Sequence, residues 1–149
     1  MGLDNLLKKN SVRSPWLFRI NAGSCNGCDV ELATTALIPR YDVERLGCRY
    51  CGSPRHADIV LITGPLTARI HDQVLRVWNE IPEPKVTVAV GICPISGGVF
   101  REGYSITGPI DRYLPVDVNV PGCPPRPQAI LEAVALGISI WKKKLGLEA

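Results

Sequence analysis

The sequence has no long hydrophobic run, few aromatic residues and only a small net charge. Its longest apolar stretch, residues 129–141, is interrupted by Glu132, Gly137 and Ser139. A membrane-spanning helix needs about 20 apolar residues, so we expect no transmembrane segment. Aromatic residues make up 6% of the 149 residues, and the net charge of +3 comes from scattered basic side chains. This composition argues against a nucleic-acid partner.

Recognisable targeting signals are also missing from the amino-terminal residues. Residues 1–14 contain no apolar run long enough for a signal peptide, and Leu6 stands where myristoylation requires Ser or Thr. We interpret residues 1–13 as a loosely ordered arm and residues 14–149 as one domain. A chain that stays in a reducing compartment usually uses clustered cysteines as metal ligands or redox groups.

The order of predicted elements indicates an α/β fold with one open, mainly parallel sheet. No predicted strand is followed by a Gly-rich dinucleotide fingerprint or a Walker loop, which argues against a nucleotide-binding function. An unbroken apolar run such as residues 59–62 is typical of a strand buried on both faces. Strands are predicted at 16–21, 58–63 and 86–90, and a half-exposed strand near an edge of the sheet is predicted at 116–120. Helices are predicted at 30–38, 67–81 and 127–143.

Four of the six cysteines follow predicted strands. Cys25 and Cys28 come after the first strand, Cys93 follows the strand at 86–90, and Cys123 follows the one at 116–120. Carboxyl ends of parallel strands share one edge of a sheet, which is where cofactors bind in open α/β folds. We therefore expect these four thiols to gather at one site.

Four thiolates suit either zinc or an iron–sulfur cluster. Glycines beside the cysteines favour the cluster, because they let backbone N–H groups approach a bulky anion. A rival site combines Cys25 and Cys28 with Cys48 and Cys51, whose 19-residue separation fits a zinc ribbon. Topology opposes that zinc-stabilised interaction domain, since Cys48 and Cys51 precede a strand and should lie at the opposite end of the sheet. Their spacing also permits a reversible disulfide.

Several ordered segments between residues 14 and 143 carry a family resemblance. They are 23–29 (GSCNGCD), 39–45 (PRYDVER), 53–58 (SPRHAD), 82–85 (PEPK), 96–98 (SGG) and 120–125 (VPGCPP). With these segments the chain resembles the small subunit of membrane-bound, energy-converting nickel–iron hydrogenases and, more distantly, the complex I subunit that carries the terminal cluster. In the complex I relatives the first two cysteines are adjacent, whereas here Asn26 and Gly27 separate them, which favours the hydrogenase branch.

The resemblance implies a flavodoxin-like fold with one 4Fe–4S cluster on Cys25, Cys28, Cys93 and Cys123. It implies an electron-transfer subunit, not catalytic by itself, that passes electrons from ferredoxin-derived clusters to a nickel–iron centre. The oxidoreductase complex would evolve hydrogen, pump ions and lie on the cytoplasmic face of the cell membrane. The partners of this chain would be a large subunit holding a nickel–iron centre, a two-cluster ferredoxin-like subunit and an ion-pumping membrane arm. A ferredoxin-dependent sulfur or quinone oxidoreductase of similar architecture remains the alternative.

Two acidic residues near the second cysteine have two possible roles. Asp29 and Glu31 either belong to a proton path toward the partner's metal centre or complement the positive end of a helix dipole. The sequence does not decide between these roles.

Overall fold

Five parallel strands form the centre of the molecule, and the computed structural model describes residues 3–147. The strands are β1 (Trp16–Asn21), β2 (Arg49–Tyr50), β3 (Ile59–Thr63), β5 (Val86–Val90) and β7 (Val118–Val120). They lie in the order β2-β1-β3-β5-β7. Counted among these five alone, the order is 2-1-3-4-5, which is the flavodoxin-like order. The predicted fold class is confirmed.

Helices cover both faces of this sheet. A smaller antiparallel pair, β4 (Leu66–Thr67) with β6 (Ile106–Gly108), lies outside it. The helices are α1 (Leu3–Ser11), α2 (Gly27–Leu37), α3 (His71–Asn79), α4 (Ile92–Ser96) and α5 (Pro127–Lys144), and short 3-10 turns occur at Pro39–Tyr41, Val43–Leu46, Pro54–His56, Gly98–Phe100 and Ile110–Arg112.

Successive side chains of each strand point to opposite faces of the sheet, which divides the hydrophobic core into two clusters. Ile59 and Leu61 pack with α2 and α5 on one face, while Val60 and Ile62 pack with α3 on the other. All four side chains are fully buried, as expected of a central parallel strand that has helices on both sides. At the edge, Asn119 of β7 is exposed between two buried valines, which confirms the predicted half-exposed strand.

The structure differs from the sequence-based expectation in local elements. Residues 1–13 were expected to form a loosely ordered arm, but residues 3–11 form helix α1. The boundary between an arm and a domain at residue 13 stays a prediction. Helix α3 is shorter than the predicted 67–81 because residues 66–67 pair with β6 instead. Strand β2 and helix α4 were not predicted, being only two and five residues long. Among residues 3–147, no helix has the length and apolar character needed to cross a bilayer.

Candidate functional site

The four predicted ligands meet beyond the carboxyl ends of β1, β5 and β7. Cys28 and Cys93 lie in the first turns of α2 and α4 and are both 7% exposed. Cys25, in the loop before α2, and Cys123, in the loop between β7 and α5, are exposed. All six cysteines of the chain are free thiols. The site therefore has a buried floor of two thiols and an open side with two more.

The thiols are close enough for their charges to interact. Burial raises the pKa of Cys28 to about 11, and negative charge on Cys93, Cys25, Asp29 and Cys123 adds to this increase. Burial also raises the pKa of Cys93, with contributions from Cys123 and Cys25. These thiols keep their protons at neutral pH unless a cationic group compensates the thiolate charges, and binding such a group would release protons.

Glycines leave the space around the sulfurs free of side chains. A Cβ atom at Gly91 would stand 2.6 Å from the Sγ of Cys28, and one at Gly98 would stand 3.3 Å from the Sγ of Cys93. Both glycines have positive φ, 92° and 54°, which side-chain-bearing residues rarely adopt. The result is a cradle in which the glycine backbone closely approaches the sulfurs of Cys28 and Cys93.

Backbone hydrogen bonds join two of the cysteine loops to each other. Gly91 N–H donates to Val120 O and Ile92 N–H donates to Gly122 O, each at 2.8 Å. Because Cys93 follows Ile92 and Cys123 follows Gly122, these bonds fix the positions of the two cysteines relative to each other. The cradle is built into the end of the sheet.

One asparagine organises the loop that carries Cys25. The Oδ1 atom of Asn21 accepts from the backbone N–H groups of Gly23 (2.9 Å) and Ser24 (2.8 Å). Its Nδ2 donates to Asp29 in the first turn of α2, at 3.2 Å. A single side chain thus holds both the loop before Cys25 and the helix turn that contains Cys28.

Asp29 lies beside the site in a buried position. Its Oδ1 accepts from Arg19 Nη1 at 2.8 Å and from Thr63 Oγ1 at 2.9 Å, in addition to the bond from Asn21. The carboxylate is therefore held by strands β1 and β3. Glu31, two residues later, is only half-buried.

Arg19, Asn21 and Thr63 also contact the site through Asp29, and the sequence did not predict them as site residues. Asn21 and Thr63 end adjacent strands and are paired in register. A polar residue at the carboxyl end of an otherwise apolar strand is a usable signal, because that edge is where sites form in parallel sheets. Arg19 gives no such signal, since it lies in the middle of β1.

Cys48 and Cys51 lie away from the other four cysteines. They flank β2, whose residues pair with Trp16 and Leu17 at the amino end of β1. Cys48 is fully buried with the α2 and α5 core, whereas Cys51 packs on the α3 side and its Sγ donates to Ser53 O at 3.3 Å. The two thiols face opposite sides of the sheet, which rules out both the zinc ribbon and a disulfide between them in this fold.

The donor set and its surroundings suit an iron–sulfur cluster. Within residues 3–147, no three His, Cys, Asp or Glu side chains converge closely enough for one metal ion. Tetrahedral zinc would hold its thiolates about 3.8 Å apart, because each Zn–S bond is about 2.3 Å long. A 4Fe–4S cluster binds each thiolate to a different iron, so its ligands stand further apart. The four thiols and the glycine cradle fit that group.

Exposed apolar side chains adjoin the cysteines. Val30, on the helix turn after Cys28, is 62% exposed, and Val99, next to Gly98, is 86% exposed. Phe100 is 45% exposed beside it. We call Val30, Val99 and Phe100 the apolar rim. Exposed apolar side chains beside a candidate site are typical of interaction surfaces.

Comparison with known proteins connects this geometry to a family. Residues 25–136 match the family model described as NADH ubiquinone oxidoreductase, 20 kDa subunit. A probable membrane-bound hydrogenase subunit, mbhJ, of Pyrococcus furiosus is 55% identical over 133 residues, which are 89% of this chain and 79% of the relative. Formate hydrogenlyase subunit 7 of Escherichia coli K12 is 43% identical over 95% of this chain, which spans 54% of that relative.

A solved structure is also similar. A chain in the membrane-bound sulfane sulfur reductase, described as an archaeal respiratory membrane complex, superposes with a TM-score of 0.79 at 32% identity. The match covers 93% of this chain and 76% of the other.

Proposed function

Because this chain belongs to the family of the 20 kDa subunit of NADH ubiquinone oxidoreductase, we propose that it is an electron-transfer subunit of a membrane-associated oxidoreductase complex. It holds one 4Fe–4S cluster on Cys25, Cys28, Cys93 and Cys123. The observation that carries this proposal is the convergence of four free thiols around a glycine cradle at the carboxyl edge of the sheet. When bound, the cluster supplies a site that accepts and releases one electron at a time.

The protein's own contribution is to hold and shield that site. The buried thiols of Cys28 and Cys93 and the exposed thiols of Cys25 and Cys123 would hold the cluster, and the exposed pair would be accessible to a partner. Burial of Cys28 and Cys93 would contribute to the reduction potential of the cluster. No residue of this chain is assigned a catalytic role.

The apolar rim supports a large-subunit partner on the open side. Electron transfer requires the cluster to lie near that interface, and Val30, Val99 and Phe100 are exposed in the segments that carry Cys28 and Cys93. The partner would hold a nickel–iron centre and receive electrons that enter through a two-cluster ferredoxin-like subunit. Together with a membrane arm, the complex would sit on the cytoplasmic face of the membrane, this chain being peripheral.

Hydrogen evolution is the preferred activity of the complex, since the relative at 55% identity is a probable membrane-bound hydrogenase subunit. Reduction of a sulfur compound is the second candidate, because the similar solved chain belongs to a sulfane sulfur reductase. The two differ in the partner's metal centre. Nickel in stoichiometric amount in the purified complex supports the hydrogenase, and a nickel-free complex that reduces sulfur supports the alternative.

Iron and acid-labile sulfide analysis tests the cluster itself. Anaerobically purified complex should lose about four irons and four sulfides per chain when Cys93 is replaced by serine, because one iron loses its thiolate. Conversion to a smaller cluster would also agree with the assignment. Unchanged iron content and an unchanged reduced-state spectrum in Cys93→Ser would refute it.

A further inference from the structure

We propose that the buried Asp29 carboxylate and its partner Arg19 set the reduction potential of the group held by the four cysteines, in opposite directions. This inference rests on the proposed cluster. Asp29 lowers the potential, because a fixed negative charge disfavours an additional electron on the cluster. Arg19 raises it, because the guanidinium offsets part of that charge.

Burial gives the Asp29 charge its effect. The residue is 8% exposed and directly follows Cys28, whose own side chain is 7% exposed. Charges in such surroundings interact more strongly than in water, since little solvent screens them. An exposed carboxylate at the same distance would have a much smaller influence.

The carboxylate is fixed as well as buried. Arg19 and Thr63 donate to Oδ1 and Asn21 donates to Oδ2, so both oxygens are held by groups from two strands. These bonds keep the distance of the carboxylate from the cysteines constant as the cluster changes charge, as second-shell groups do around metal sites.

The same bonds argue against a simple helix-dipole role. Asp29 lies in the first turn of α2, where an acidic side chain commonly stabilises free N–H groups. Here its three side-chain hydrogen bonds all come from β1 and β3. Stabilising the end of the helix does not require an ion pair between this carboxylate and an arginine of β1.

Arg19 partly offsets the negative charge of Asp29. Its guanidinium contacts Asp29 Oδ1 at 2.8 Å, and its side chain is 45% exposed. Solvent therefore screens the arginine more than the aspartate, which leaves a net negative influence on the cysteines. Removing Arg19 should have the smaller effect of the two.

Redox titration of the intact complex with Asp29→Asn and Arg19→Gln tests the proposal. The signal of this cluster is identified as the one that Cys93→Ser removes or alters. We expect a more positive midpoint potential in Asp29→Asn and a smaller, negative shift in Arg19→Gln, with wild-type iron content in both. Asp58→Asn is the control, because Asp58 is a partly buried carboxylate at the amino end of the sheet, bonded to Trp16 N–H; it should leave the potential unchanged.

The outcomes separate this inference from the cluster assignment. Shifts of the same sign in both variants, or no shift with full iron content, overturn the electrostatic role. If Asp29→Asn fails to retain iron, Arg19→Gln alone tests the proposal. A negative shift of its midpoint potential supports the electrostatic role, and a positive shift or no shift overturns it. If the wild-type chain holds no iron, the proposed function fails before the potential can be measured.

Discussion

The Sγ atom of Cys28 lies so close to the backbone of Gly91 that a methyl group there would stand 2.6 Å from the sulfur. Gly91→Ala should therefore displace Cys28 or strain the loop. We expect the purified protein to lose most of its iron. Iron per chain and the thermal unfolding midpoint are the measurements, and full iron retention in Gly91→Ala would contradict the cradle.

Two other glycines serve as matched controls for that variant. Gly146 also has positive φ, 72°, but a Cβ there would meet no atom within 4 Å. Gly146→Ala should cost only the backbone strain of about 1 kcal/mol. Gly52 has open space and no positive φ, so Gly52→Ala should change neither stability nor iron content.

The two cysteines beside β2 should not affect the cluster. Replacing Cys51 and Cys48 with alanine should leave iron content and the spectrum unchanged. Cys48→Ala should still destabilise the protein by about 1 kcal/mol, because Cys48 is fully buried and its removal leaves a small cavity. Metal analysis and denaturant unfolding of the same samples measure both effects. Loss of iron from the Cys48/Cys51 variant, with the protein still folded, would contradict the assignment of the four ligands.

In metal-free protein, the rate at which each cysteine is alkylated should depend on the exposure of its thiol and on its pKa. Cys25 and Cys123 are exposed and should react first, whereas Cys28 and Cys48 each have a pKa raised to about 11 by burial. At pH 8 about one in a thousand of these buried thiols is ionised, and this fraction increases tenfold per pH unit up to the pKa. Peptide mass mapping over pH 7–10 measures the order.

The same labelling distinguishes ligands from core thiols. With the cluster bound, Cys25 and Cys123 should become protected despite their exposure, while Cys48 should react as slowly as before. Rapid labelling of Cys25 in iron-loaded protein would exclude it as a ligand.

The apolar rim should be needed for assembly and not for folding. Val99→Asp places a charge at an 86% exposed position, so the unfolding midpoint should change little, while co-purification of the large subunit should decrease. Leu136→Asp, at a 52% exposed position on α5, is the control and should leave the complex intact. Equal loss of partner in both variants would show that the rim has no special role.

Much of the architecture follows from the sequence because burial on both faces leaves a clear pattern. Residues 59–62 have no polar break and became the central strand, and β1 has the predicted bounds. Topology alone predicted that three cysteines lie at the same edge of the sheet, because Cys25, Cys93 and Cys123 each follow a strand. Short elements such as β2 were not predicted, because two residues are too few to show a periodic pattern of apolar side chains.

The sequence by itself therefore determined the α/β order and which cysteines follow strands. Only the tertiary structure decided that Cys48 and Cys51 face opposite sides of the sheet, since this depends on where β2 pairs. It likewise decided that Asp29 meets Arg19 and Thr63. These contacts join residues 10 and 34 positions apart, and they depend on how α2 docks on β1 and β3, which no local pattern encodes.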